Sequence, residues 1–201
     1  MSRKKADFRP ELLVLAASTG GPVALEMIIG ALKKDFPIPI VVVQHMPKPF
    51  TTAFADALNR KSELRVKEAW DGDLLKAGTV YLAPGGCHLK LSGDLKWVLE
   101  LSDEALMNGV RPAVDIFLWS LASSSFVDGI LVVILTGMGS DGLAGLKRLK
   151  EKKQVYCIAQ DEVTSVVYGM PQRIVEADLA DEVLPLGKIA QRLSRLIRKE
   201  N

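Results

Sequence analysis

A serine, a histidine and an aspartate stand just past the ends of three separate apolar runs. Ser18 lies beyond Leu12–Ala16 in LLVLAASTGG, His45 directly follows Ile40–Gln44 in VVVQHMP, and Asp141 lies beyond Gly129–Leu135 in ILTGMGSDGL. A hydroxyl, an imidazole and a carboxylate are the nucleophile, the base and the orienting group that acyl transfer requires. Each residue also has a plainer reading. Ser18, followed by Thr19, Gly20 and Gly21, can cap a helix or hold an anion at a helix N-terminus as well as attack a carbonyl. The stretch is neither a Walker loop, because no Gly-Lys-Ser/Thr follows, nor a full dinucleotide fingerprint. Asp141 sits among Gly137, Gly139 and Gly142, where it can serve as the N-cap of a helix over Leu143–Glu151, a role asparagine fills equally well. The same glycines let backbone amides turn toward an oxyanion. His45 is one of only two histidines, and a histidine at a strand exit can be purely structural. The other, His88, falls in a period-two run beside Cys87; neighbours on a strand point to opposite faces, which disfavours a thiolate–imidazole pair. The order Ser, His, Asp differs from the three orders of the well-known serine hydrolases, so a triad here would be a convergent one.

Strands must carry these residues to one place. Continuous apolar runs at Leu12–Ala16, Ile40–Gln44, Leu64–Glu68, Thr79–Ala83, Gly129–Leu135 and Val155–Gln160 read as parallel strands buried on both faces. Helical patterns lie at Pro22–Leu32, Phe50–Arg60, Ala113–Ser123, Leu143–Glu151, Met170–Ala177 and Gly187–Lys199. The alternation predicts an α/β fold: a doubly wound, mainly parallel sheet with helices on both faces. In such sheets ligands bind beyond the carboxyl ends of the strands, which is where Ser18, His45 and Asp141 fall. One stretch, CHLKLSGDLKWVLEL, breaks the pattern. Two alternating runs around Ser92-Gly93-Asp94 predict an antiparallel β-hairpin attached to the sheet.

Composition excludes several classes of function. With 48% hydrophobic and 25% charged residues in 201, the chain is an ordinary globular protein. Residues 1–10 read as a basic N-terminal extension and 11–201 as a single domain. A net charge of +2 supplies no field for nucleic acid, and no nucleic-acid partner is expected. The basic start, MSRKKADFRP, precedes no apolar core of a signal peptide, and no run approaches the ~20 apolar residues of a membrane span. Membrane insertion is therefore not expected. Cys87 and Cys157 cannot form a disulfide framework and suit a reducing cytoplasm. No cysteine cluster has zinc spacing, so neither metal nor cofactor is expected.

The ordered set ASTGG (17–21), QHMP (44–47), FTTAFADALN (50–59), YLAPGG–HLKL (81–91), RPAVD (111–115), ILTGMGSDGLAGL (134–146), IAQDE (158–162) and VYGMP (167–171) resembles the catalytic domain of the chemotaxis protein-glutamate methylesterases, the CheB family. The likeness runs from Leu12 to about Leu193. It implies that Ser18 is the nucleophile, His45 the general base and Asp141 its orienting partner. It associates a main-chain amide near Met138 with the oxyanion, within turns formed by Thr19, Gly20, Gly137, Met138 and Gly139. The implied reaction is hydrolysis of glutamate γ-methyl esters on the cytoplasmic helices of methyl-accepting chemotaxis receptors, releasing methanol; some members also deamidate glutamines. Two positions depart from the family's habit: Ala16 replaces a common glycine, which raises a question of turn geometry, and Ser140 replaces a common asparagine. The family's receiver domain has no counterpart in residues 1–10, so a separately encoded or excised catalytic domain is expected, with a separate receiver protein as its regulatory partner. Two other readings stand beside this one: a same-mechanism esterase or amidase acting on another protein outside chemotaxis, and a non-catalytic anion-binding α/β module.

Overall fold

Residue order along the chain builds one parallel sheet outward from its centre. The computed structural model describes residues 8–92, 96–125 and 128–198. In chain order these form β1 (Leu12–Ala17), α1 (Gly21–Ala31), β2 (Ile40–Gln44), α2 (Lys48–Lys61), β3 (Arg65–Glu68), β4 (Thr79–Leu82), β5 (His88–Ser92) and β6 (Val98–Ser102). They continue as α3 (Val114–Ser123), β7 (Gly129–Ile134), α4 (Leu143–Lys152), β8 (Gln154–Gln160), α5 (Met170–Glu176), β9 (Glu182–Leu184) and α6 (Leu186–Arg198). Seven strands lie in the order β3-β4-β2-β1-β7-β8-β9, and every neighbouring pair is parallel. β1, β2 and β7 are buried along their whole length, which is why they read as unbroken apolar runs.

Alternate side chains of β1 enter opposite layers. Leu12, Val14 and Ala16 pack with Phe117, Leu118 and Leu121 of α3 and Leu146 and Leu149 of α4. Leu13, Leu15 and Ala17 pack with Leu25, Ile28 and Ile29 of α1, Leu58 of α2, and Ile189 and Leu193 of α6. Helices thus cover both faces, as the sequence predicts. β1 lies between β2, where the chain goes next, and β7, to which it returns later. That reversal of winding opens a crevice at the carboxyl ends of these three strands.

Two details differ from expectation, and part of two others lies outside the described residues. β5 and β6 pair antiparallel as predicted, but as a separate two-stranded sheet whose Leu89, Leu91 and Leu99 pack with Phe117 in the α3–α4 layer. Of the turn expected at Ser92-Gly93-Asp94, Gly93 and Asp94 lie outside the described residues, as does Lys199 at the expected end of the last helix. β9 was not anticipated: three residues pairing with β8 are too short for a periodic signal. Among the described residues no helix is long and apolar enough to cross a membrane.

Candidate active site

Ser18 is the first residue past β1. Its N–H donates to the Thr136 carbonyl (3.0 Å), and its own carbonyl accepts from Gly21 N–H (2.8 Å), closing a tight turn. Gly20 holds that turn at φ 82, and a Cβ there would stand 2.7 Å from Val166, so glycine is required twice over. Gly20 is the N-cap of α1 and no side chain caps the helix. The capping reading of Ser18 therefore fails, and its hydroxyl is left for other work. The concern over Ala16 also falls away. It lies fully buried inside β1, paired with Val43 and Ile134, and takes no part in the turn.

His45 leaves β2 beside this turn, its N–H donating to the Ala17 carbonyl (3.1 Å). Its ring Nε2 lies 2.7 Å from Asp141 Oδ2, with only 10% of the histidine side chain and 3% of the aspartate side chain exposed. An ionised carboxylate only accepts, so Nε2 carries the proton and Nδ1 is the basic nitrogen. The best-known serine hydrolase triad is wired the other way, with Nδ1 toward the aspartate. Among the described residues no hydrogen bond joins the Ser18 hydroxyl to His45. In enzymes without substrate such bonds are often long and tighten only in the complex.

Asp141 is held by four donors. Oδ2 accepts from His45 and from Val114 N–H (2.7 Å), while Oδ1 accepts from Asp115 N–H (3.0 Å) and Asn108 Nδ2 (3.1 Å). Val114 and Asp115 open α3. Asp141 therefore does not cap the helix that follows it, as local sequence suggests; α4 begins from Gly142 at φ 98 without a cap from Asp141. The cap of α4 comes from α3 instead. Asp115 Oδ1 accepts from Gly142 N–H (3.0 Å) and Gly145 N–H (2.6 Å). The two buried aspartates thus exchange helices, and Asn108 Nδ2 bridges them, 2.9 Å from Asp115 Oδ2. Burial pushes both carboxyls up. For Asp141 the His45 bond and the two α3 amides outweigh it, holding the group below the ordinary carboxylate range. For Asp115 burial, reinforced by the charge of Asp141, prevails over its bonds to Gly145, Asn108 and Gly142 and holds it above that range.

The third wall is the turn after β7. A Cβ on Gly137 would stand 2.8 Å from Ser18 Cβ and 2.5 Å from Met170 Sδ, so this residue is bare because the serine is there. Its N–H donates to Val167 (2.9 Å), which removes Gly137 from the candidate oxyanion donors. Among the described residues the N–H groups of Thr19 and Met138 donate no hydrogen bond. Gly139 shapes the turn at φ 90. Met138 and Val166 form an apolar rim here, 73% and 70% exposed.

Other candidates take no part. His88 is fully buried, with Nδ1 accepting from Ala113 N–H (3.2 Å) and Nε2 donating to Ala105 O (3.0 Å), a satisfied neutral ring beneath the start of α3. Cys157 lies in the core of β8, where burial pushes its thiol up to about 12. Among the described residues no group of three or more His, Cys, Asp or Glu could hold a metal. Sequence reasoning missed Asn108, Asp115 and Gln44. Asn-Gly at 108–109 signals a turn, and Asn108 adopts φ 54, but nothing local shows where its amide reaches.

The family model of the CheB methylesterase matches residues 13–193. The protein-glutamate methylesterase/protein-glutamine glutaminase 1 of Saccharophagus degradans is 47% identical over 191 residues, covering 95% of this chain and 52% of the relative. The protein-glutamate methylesterase/protein-glutamine glutaminase of Thermotoga maritima is 47% identical over 190 residues, covering 93% and 54%. This chain therefore spans about half the length of the curated relatives it matches. The crystal structure of the Thermotoga maritima CheB methylesterase catalytic domain is similar with a TM-score of 0.89 at 46% identity, over 93% of this chain and 98% of that one.

Proposed function

The chain belongs to the CheB methylesterase family, and from that premise we propose that it hydrolyses glutamate γ-methyl esters on the cytoplasmic helices of methyl-accepting chemotaxis receptors. The observation that carries the reading is the His45–Asp141 bond of 2.7 Å, anchored at the crevice edge from which Ser18 also emerges. His45 Nδ1 accepts the Ser18 proton as Oγ adds to the ester carbonyl, and Asp141 stabilises the imidazolium that forms. The unspent amides of Thr19, which follows Ser18, and of Met138, which follows the closely approaching Gly137, are the donors for the tetrahedral oxyanion. The protonated ring returns its proton to the departing methoxide, releasing methanol. Water, deprotonated by the same nitrogen, then cleaves the acyl-serine and regenerates the enzyme.

The relatives' names include glutaminase activity, and the same acyl step extends to a receptor glutamine here, with ammonia leaving instead of methanol. The apolar rim of Met138 and Val166 suits a helical protein substrate better than a small ester. We read residues 11–201 as a single catalytic domain working in the cytoplasm, where these receptor helices lie. The test is methanol release from a methylated chemoreceptor. Ser18→Ala abolishes turnover while the protein stays folded, its stability changed by no more than about 0.5 kcal/mol because no cap is lost. A folded Ser18→Ala chain with near-wild-type turnover would end the serine-hydrolase reading.

A further inference from the structure

Gln44 is the last residue of β2, 98% buried, and stands opposite Ala17 in the β1–β2 register. The next residue on each strand is a member of the site: Ser18 after Ala17, and His45 after Gln44. The Gln44 Nε2 donates to both of their carbonyls, at 2.9 Å to Ser18 and 3.0 Å to His45. Its Oε1 is buried without any hydrogen-bond partner. Gly21 makes room for this carboxamide: a Cβ at that first residue of α1 would stand 2.0 Å from Oε1 and 2.9 Å from Cδ.

Packing alone does not explain such a side chain. Methionine or leucine would fill the space without stranding an oxygen, and an unpaired buried acceptor is costly enough that native proteins rarely keep one. The nitrogen side accounts for the choice. One NH₂ group with two hydrogens ties two separate strand exits together, where a hydroxyl or indole could tie only one. We propose that Gln44 is a positioning residue that sets the spacing between the nucleophile turn and the base turn. The inference rests on the serine-hydrolase reading above, but its geometric content does not require the substrate to be a chemoreceptor. Gln44 is buried and spends its NH₂ on the Ser18 and His45 carbonyls, so its contribution falls on the alignment of Ser18 Oγ with His45 Nδ1. Misplacement of reacting groups by about 1 Å costs on the order of 10²-fold in rate.

Gln44→Met preserves length and removes both donors and the stranded oxygen. On methylated receptor the expected result is a kcat lower by about 10²-fold with KM unchanged, and a melting midpoint within about 4 °C of wild type. A second readout needs no substrate. The His45 Nε2–H signal, followed by NMR, exchanges faster with solvent in Gln44→Met than in wild type, because the His45 main chain has lost the bond that fixes where its ring meets Asp141. Unchanged kcat together with unchanged exchange would overturn the proposal. So would a Gln44→Met chain that fails to fold, since the amide would then be serving the core. If wild type itself releases no methanol from the receptor, the substrate reading fails, while the exchange measurement still decides the role of Gln44.

Discussion

Asp141→Asn separates what the carboxylate does for His45 from what it does for α3. The carboxylate accepts from four donors, two on each oxygen: His45 Nε2 and Val114 N–H on one, Asp115 N–H and Asn108 Nδ2 on the other. An amide in its place must turn an NH₂ toward one of these pairs. Either orientation leaves one backbone N–H of the first turn of α3 facing a donor, a loss of about 1–3 kcal/mol. Removing the negative charge from that helix N-terminus costs about 0.3–1 kcal/mol more. Asp115, relieved of its neighbour's charge, returns part of the loss. The expected net is roughly 2–3 kcal/mol, which at about 2–4 °C per kcal/mol for a chain of this size lowers the melting midpoint by roughly 4–12 °C. Local sequence, which makes Asp141 an ordinary cap for the following helix, predicts almost no shift. His45 is the donor that becomes an acceptor by a change of tautomer alone, so the NH₂ faces it and the imidazole takes the wrong tautomer, a change that costs about 10⁴-fold in a comparable triad. Because Asp141 titrates below the ordinary carboxylate range, the stability it supplies is complete above that range and is lost as pH falls through its own lower value. The gap between wild type and variant therefore closes in acid. Methanol release and thermal melts across pH decide the matter. Wild-type turnover in Asp141→Asn would remove the carboxylate from the chemistry, and an inactive variant with an unmoved midpoint would refute the capping of α3.

The two histidines should part company in the same pair of assays. His45→Gln loses turnover, whereas His88→Gln keeps most of it but melts lower by about 1–3 kcal/mol of lost stability, since Ala113 N–H and Ala105 O lose their partner; a reversal would mean that the base is misassigned. Thiol-directed reagents at pH 8 leave Cys157 unmodified in the native protein, because burial holds its thiol up at about 12. Labelling of Cys87 leaves turnover largely intact, and stoichiometric inactivation through it would reopen a thiol mechanism; peptide mapping with an activity assay gives both answers.

What the sequence showed and what it hid follow from the range of the interactions. β1, β2 and β7 were legible because burial on both faces leaves no polar residue to interrupt them. Ser18, His45 and Asp141 were legible because they stand where such strands end. Asp141's real partner was not, since the amides it receives lie 26 and 27 residues away and no local pattern connects them. Gln44 was read as an ordinary strand residue for the same reason: both turns it ties look complete without it. Gly137 resembled an oxyanion donor because its glycine suggested freedom, when a Cβ is excluded by Ser18 and its N–H is already bound to Val167.

The exchange of aspartates between α3 and α4 bears on how this protein assembles. Each helix start donates to a carboxylate carried beside the other helix, so neither start is complete until both have docked. Until then Asp141 lacks the two amides that fix it, and His45 has nothing to hold its ring. A nascent chain, or one in which this pair has opened locally while the central strands stay paired, thus lacks the fixed His45–Asp141 pair that the proposed chemistry requires. The geometry of that pair is completed only with the docking of α3 and α4. On the proposed function, a half-folded molecule would lack the means to strip esters from whatever protein it meets.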